Sequence, residues 1–243
     1  MDRPNPRRAS VSALRYTPRL IPYTHPMTKH DIINRLLNPG VIAVIRADSS
    51  EQLLDAARAM ADGGVIAMEV TMTTPNAIDV IKAVTKELGS RILMGVGTVL
   101  DDVTARLAIL AGAEYVVTPV MRPEVIALCR RYSKPIVCGA VTPTEALAAH
   151  EAGADFIKLF PADTLGPTYI KAIKAPLPQL QIIPTGGVSV KTAGDFIKAG
   201  CAAVAAGSSL VSKDVLAKKD WKGLTEVSRQ FVEAVAAARK PMS

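Results

Sequence analysis

The stretch that decides the fold runs over residues 155–188, DFIKLFPADTLGPTYIKAIKAPLPQLQIIPTGGV. It begins with an apolar run, DFIKLF at 155–160, and ends with a second one, QIIPT at 181–185, which paired glycines follow. A longer amphipathic segment separates the two runs. Short apolar runs joined by amphipathic segments are typical of parallel strands with crossover helices. The stretch therefore predicts one strand-helix-strand unit.

The same alternation continues outward from this unit over the chain from Thr28 onward. Apolar runs rich in β-branched residues predict six further strands, for eight in all, near 41–46, 65–71, 92–97, 114–118, 135–139 and 202–206. Helix starts are predicted from capping patterns at Ser49 with Gln52, at Thr142 to Glu145, and at Thr74 followed by Pro75. Glycines predict where helices stop, in ADGG (61–64), LAGA (110–113), EAGA (151–154) and KAGC (198–201).

Eight strands alternating with eight helices can form an open sheet or a closed barrel. The early GxGxxG turn typical of open nucleotide-binding sheets is missing from the sequence, which favours closure. The predicted fold class is therefore α/β, a (β/α)₈ TIM barrel with an extra N-terminal helix. That helix, at 28–37, is expected to plug the bottom of the barrel, and a helix from about Leu224 to Arg239 completes the outer ring.

Two ionisable residues interrupt the apolar pattern of the predicted strands. Lys158 shares a strand face with Phe156 and Phe160, and Glu69 lies in AMEVTM on the face of Ala67 and Thr71. An isolated charge inside an aliphatic barrel costs several kcal/mol unless it is paired or neutralised. A lysine enclosed in this way loses its proton more readily, and a neutral amine attacks carbonyl carbon. A buried Lys–Glu ion pair without chemistry is the alternative.

Other residues at the carboxyl ends of the strands favour the chemical interpretation. Arg46 ends the first strand, where a guanidinium can bind a carboxylate, and the hydroxyl of Thr98 after GVG can bind the same anion. Two glycine-rich loops follow the seventh and eighth strands, PTGGVS (184–189) and AGSSLV (206–211). Loops at these two positions are the usual phosphate site of TIM barrels.

This combination resembles the 2-keto-3-deoxy-6-phosphogluconate (KDPG) aldolase family, which includes the 2-keto-3-deoxy-6-phosphogalactonate and 4-hydroxy-2-oxoglutarate (KHG) aldolases. The resemblance covers about residues 28–240 and is carried by VIAVIR, GGVIAMEVTMTTP, GVGTV, VVTP, FIKLFPA, PTGGV and AGSSLV. It implies a class I aldolase that cleaves KDPG to pyruvate and glyceraldehyde 3-phosphate, with a cytoplasmic homotrimer and a small phosphorylated 2-keto acid as substrate. The galactonate derivative and 4-hydroxy-2-oxoglutarate are the alternative substrates.

The resemblance also assigns roles to individual residues. It implies that Lys158 forms an imine and that Glu69 is the acid/base, with Arg46 and Thr98 holding the substrate carboxylate. Thr71, Thr73, Pro119, Phe160 and Thr185 are expected in the pocket, and the phosphate is expected to contact Gly186, Gly187, Gly207 and Ser208. Some members carry an arginine where this chain has Thr73, so carboxylate binding must depend on Arg46. No metal or cofactor is required by this chemistry.

Composition limits the other classes of function. Residues 1–30 carry six basic residues against one acid, which leaves +2 of the total charge of +7 for the remainder. A nearly neutral domain is a poor nucleic-acid binder, and no apolar run is long enough to span a membrane. Three cysteines without metal-binding spacing favour a reducing compartment. A sugar-phosphate isomerase or epimerase, or a phospho-sugar binding protein, remains a more distant alternative.

We expect the chain to divide into an N-terminal extension, residues 1–27, and a single aldolase domain, residues 28–243. The Arg- and Pro-rich composition of the extension is typical of a disordered tail. Alternatively, the extension lies upstream of a functional start at Met27, or it is an organellar targeting segment or a basic arm that binds RNA or membrane.

Overall fold

The computed structural model describes residues 27–46, 49–89 and 91–240. Eight parallel strands form one sheet in the order β7-β6-β5-β4-β3-β2-β1-β8. The strands are Val41–Ile45 (β1), Ala67–Thr71 (β2), Leu93–Gly97 (β3), Tyr115–Val117 (β4), Ile136–Ala140 (β5), Phe156–Leu159 (β6), Ile182–Pro184 (β7) and Val204–Ala206 (β8). A bridge between Thr185 and Ala205 joins the two ends of the sheet. The sheet is therefore a TIM barrel, as predicted.

Helices alternate with the strands and cover the outside of the barrel. They are Lys29–Leu37 (α1), Ser50–Asp62 (α2), Ala77–Leu88 (α3), Asp102–Leu110 (α4), Pro123–Arg131 (α5), Pro143–Ala152 (α6), Gly166–Lys174 (α7), Val190–Lys198 (α8), Lys213–Lys218 (α9) and Trp221–Arg239 (α10). Each strand lies within a predicted run, except that β5 extends one residue beyond its run, to Ala140. The short helix α9 was not predicted, and α10 begins three residues earlier than expected.

Most of the predicted helix termini are found in the structure. Ser49 caps α2 by accepting a hydrogen bond from the Gln52 backbone, and Thr142 forms a capping box with Glu145 at α6. The predicted start at Thr74 was wrong, because Asn76 is the N-cap residue of α3. The Thr74 amide instead donates to the Thr71 carbonyl at 2.9 Å, which extends the end of β2 into a turn before the helix begins.

The barrel interior is packed separately from the layer between strands and helices. Side chains from all eight strands or their adjoining residues meet inside the barrel, and Ile32 and Leu36 of α1 join this cluster from below. α1 therefore closes the amino-terminal end of the barrel, as predicted. Because the lower interior is filled with apolar side chains, the polar interior residues lie toward the carboxyl ends of the strands, where barrel enzymes place their active sites.

Among the described residues, no helix is long and apolar enough to cross a membrane. The expectations for residues 1–26 lie outside the described residues.

Candidate active site

Lys158 lies inside the barrel on β6, two residues beyond the buried ring of Phe156. Its side chain is only 8% exposed. In the neighbouring strand β5 it is paired with Gly139. A Cβ atom at Gly139 would lie 2.2 Å from the Pro119 backbone, so this glycine allows the loop after β4 to pack closely beside the lysine. The local sequence thus encloses the amine between strands and a loop.

Glu69 projects into the same space from β2. Its side chain is 2% exposed, and its Oε1 lies 3.9 Å from Nζ of Lys158. This separation permits strong electrostatic attraction but is too long for a hydrogen bond, and Oε1 has no hydrogen-bond partner among the described residues. Burial raises the pKa of the Glu69 carboxyl above its usual value, while the nearby Lys158 and Arg46 side chains oppose this shift. Such a carboxyl is suited to both accepting and returning a proton.

Gly97, at the end of β3, makes room for this carboxyl. A Cβ atom at residue 97 would lie 2.6 Å from Oε1 of Glu69 and 2.9 Å from its Cδ. The carboxyl therefore rests directly against the glycine backbone, and its position is set by the absence of a side chain there.

The rim of the pocket is formed by residues that follow the strands. Arg46 is exposed immediately after β1, and Thr98 adopts a left-handed backbone with φ of 60° after β3. The hydroxyls of Thr71 and Thr73 lie 2.8 Å apart, and the centroid of the Phe160 ring lies 5.4 Å from Nζ of Lys158. The pocket encloses about 600 Å³ and is lined by Val44, Arg46, Glu69, Thr71, Thr73, Thr98, Pro119, Lys158, Phe160 and Thr185.

A second pocket of about 590 Å³ adjoins the first and shares four of its lining residues, Val44, Arg46, Phe160 and Thr185. Its remaining lining comes from the loops after β7 and β8, at Gly186, Gly187, Val188, Gly207, Ser208 and Ser209. Gly186 and Gly187 have φ of 94° and 68°, a left-handed conformation that residues with side chains rarely adopt. Consecutive backbone amides in such a turn can bind an anion.

All thirteen candidate residues identified from the sequence line one or the other of these two pockets. Their individual roles stay predictions. Ser209 was missed, although it stands beside Ser208 in AGSSLV. It donates a hydrogen bond to the Val188 carbonyl and so ties the loop after β8 to the loop after β7. A second serine in a glycine-rich loop gives no indication of which one faces the ligand, so the sequence could not separate them.

Comparison with known proteins places this chain among the class I aldolases. Residues 32–227 match the family model described as KDPG and KHG aldolase. The chain belongs to this family, in which reaction proceeds through a Schiff base with pyruvate.

Individual relatives cover most of the barrel. The 2-dehydro-3-deoxy-phosphogluconate aldolase of Pseudomonas aeruginosa is 32% identical over 201 residues, 82% of this chain and 91% of the relative. The 2-dehydro-3-deoxy-6-phosphogalactonate aldolase of Escherichia coli is 36% identical over 171 residues, 70% of this chain and 83% of the relative. A solved structure of the KDPG aldolase from Legionella pneumophila, with pyruvate captured as a covalent carbinolamine, has a TM-score of 0.75 and 26% identity, covering 84% and 97% of the two chains.

Proposed function

We propose that this enzyme cleaves 2-dehydro-3-deoxy-6-phosphogluconate to pyruvate and glyceraldehyde 3-phosphate, with Lys158 as the imine-forming residue and Glu69 as the acid/base. The observation that carries the proposal is the 3.9 Å separation of Nζ of Lys158 and Oε1 of Glu69 inside the barrel. The continuity of their pocket with the glycine-rich pocket supports a substrate that carries a keto group at one end and a phosphate at the other.

In the proposed mechanism the uncharged amine of Lys158 adds to the keto carbon, and the carbinolamine loses water to form a protonated imine. The imine withdraws electrons as the C3–C4 bond breaks, and Glu69 takes the proton of the C4 hydroxyl, directly or through water, as the aldehyde leaves. The resulting enamine is protonated at C3 and the imine is hydrolysed, which releases pyruvate and regenerates the amine. Each proton that Glu69 accepts can return to the enamine carbon, so the carboxyl ends the cycle in its starting state.

The residues at the two ends of the pocket are proposed to orient the substrate. Arg46 and Thr98 bind the carboxylate next to the keto group, while Thr71, Thr73, Pro119 and Phe160 form the walls. Gly186, Gly187, Gly207 and Ser208, with Thr185 beside them, bind the phosphate through backbone amides and the hydroxyl. Binding energy from the phosphate, remote from the reacting carbons, then fixes the C3–C4 bond between amine and carboxyl.

The galactonate derivative, which differs at C4, and 4-hydroxy-2-oxoglutarate, which lacks a phosphate, are the second and third candidate substrates. The glycine-rich pocket favours a phosphorylated substrate over 4-hydroxy-2-oxoglutarate. The test is kcat/KM for all three, measured through the pyruvate they release with lactate dehydrogenase. We expect the gluconate derivative to give the highest value. Absence of pyruvate from all three would contradict the proposal and favour an isomerase or a phospho-sugar binding protein.

We further propose a homotrimer. Support comes from α4, where Val103, Leu107 and Leu110 recur at helical spacing and are each at least half exposed, a pattern typical of contacts between subunits. Light scattering on the purified protein tests the assembly, and a monomer would contradict it.

We also propose a cytoplasmic location and a single aldolase domain over residues 28–243. The three cysteines are free and buried, which suits a reducing compartment. Among the described residues, one barrel contains both pockets. Deletion of residues 1–26 is therefore expected to leave kcat and KM unchanged.

A further inference from the structure

Of the residues that the structure describes, Tyr115 has the largest fully buried side chain, and it lies inside the barrel on β4. Its hydroxyl has no hydrogen-bond partner among the described residues. Burying a hydroxyl without a partner costs a few kcal/mol. A phenylalanine would fill the same space without this cost. The presence of the hydroxyl therefore indicates that a polar group lies near it.

The strand register places that neighbour. Glu69 of β2 is paired with Gly95 of β3, and Gly95 is paired with Tyr115 of β4. A Cβ atom at Gly95 would lie 2.4 Å from Cζ of Tyr115, so the ring lies directly over this glycine. The carboxyl of Glu69 rests over Gly97, the next interior position of β3. Interior positions two residues apart are separated by roughly 6 to 7 Å. The phenol and the carboxyl therefore occupy successive positions along one wall.

The two groups also match chemically. Like the Tyr115 hydroxyl, Oε1 of Glu69 is a buried atom in the barrel interior that has no hydrogen-bond partner among the described residues. Burial, and then the negative charge of Glu69, raise the pKa of Tyr115 well above its usual value, so the phenol keeps its proton and remains a donor. The other charged groups whose fields reach Glu69 are Lys158 on β6 and Arg46 after β1.

We propose that the Tyr115 hydroxyl donates a hydrogen bond to one water molecule that in turn donates to the Glu69 carboxylate, and so holds Glu69 as an ionised base facing Lys158. This inference depends on the proposed function of Glu69. Tyr115 is then a positioning residue that touches no substrate. A hydrogen-bond donor to the ionised carboxylate stabilises the ionised form, and so offsets part of the rise in the pKa of Glu69 that burial causes.

The test compares Tyr115→Phe with the wild-type enzyme, using the pH profile of kcat/KM for the phosphorylated substrate. Without the donor, the ionised carboxylate loses a hydrogen bond, so the pKa of Glu69 rises. The acid limb is therefore expected to move upward by about one pH unit. At a fixed pH on this limb kcat falls roughly tenfold, while KM stays within about twofold because binding contacts are untouched. The matched control is Tyr132→Phe, which removes a hydroxyl from a tyrosine packed on the outside of the barrel.

An acid limb that stays in place in Tyr115→Phe would overturn the inference, whether kcat is unchanged or is lowered equally at every pH. A rise in Tm with an unmoved pH profile would show that the hydroxyl is simply an unpaired buried group. Failure of the proposed function is distinct, because the wild-type enzyme itself would then release no pyruvate.

Discussion

Gly97→Ala tests whether the placement of the Glu69 carboxyl controls catalysis. The new Cβ atom would lie 2.6 Å from Oε1, whereas ordinary contacts begin at 3.4 Å, so the carboxyl must move by about 0.8 Å. Glu69 is almost completely buried and cannot swing into solvent. A displacement near 1 Å costs on the order of 100-fold when reacting groups must be aligned. We expect kcat to fall roughly 10- to 100-fold, measured by coupled release of pyruvate.

The backbone of Gly97 does not require glycine, because its φ is not in the left-handed region. The variant should therefore fold, with about 1 to 3 kcal/mol lost to overpacking. Gly194→Ala on α8 is the matched control, since its Cβ would make an ordinary 3.6 Å contact with Ala238. In a cycle with Glu69→Gln, the effects of the two substitutions should not add. Additive losses, or a Gly97→Ala enzyme with the kcat of the wild type, would show that the position of the Glu69 carboxyl does not control catalysis.

Three further predictions follow from the site and the fold. In Gly207→Ala the new methyl group meets nothing closer than 4.0 Å in the protein but occupies the second pocket. KM should therefore rise about tenfold for phosphorylated substrates and remain unchanged for 4-hydroxy-2-oxoglutarate. Equal effects on both kinds of substrate would contradict a role of this loop in phosphate binding. Burial raises the pKa of Glu69 above its usual value of 4.5, so its base form is lost as the pH falls through that raised pKa. The acid limb of the pH profile of kcat should therefore lie above pH 4.5. A limb at or below pH 4.5 would exclude Glu69 as the titrating base. Asp220→Ala removes the side chain that caps α10. The free energy of unfolding, measured by denaturant titration, should therefore fall by about 1 kcal/mol. A changed kcat would contradict a purely structural role of Asp220.

The barrel could be predicted because its strands are short apolar runs, and because most helices begin at a polar capping residue or end near a glycine. Lys158 and Glu69 stood out since they break that pattern at positions that must face inward. The start of α3 could not be predicted, because both Thr74 and Asn76 are residues that favour helix caps. The turn at the end of β2 decides between them, and its hydrogen bond depends on how the strand is placed.

Tyr115 illustrates a different limit. In EYVVT a tyrosine is an ordinary strand residue, and nothing local shows whether its hydroxyl meets solvent, backbone or a carboxyl. Its relation to Glu69 depends on the pairing of three strands and on the two glycines of β3. Long-range register of this kind is specified by the whole barrel, so one segment of sequence does not contain it.

Reductive trapping with pyruvate and borohydride identifies the lysine that forms the imine. We expect a single reduced pyruvyl adduct, mapped by peptide mass spectrometry to Lys158, that disappears in Lys158→Ala and persists in Lys171→Ala, a change at an exposed lysine of α7. An active enzyme that forms no adduct, or that carries it on another lysine, would contradict an imine on Lys158.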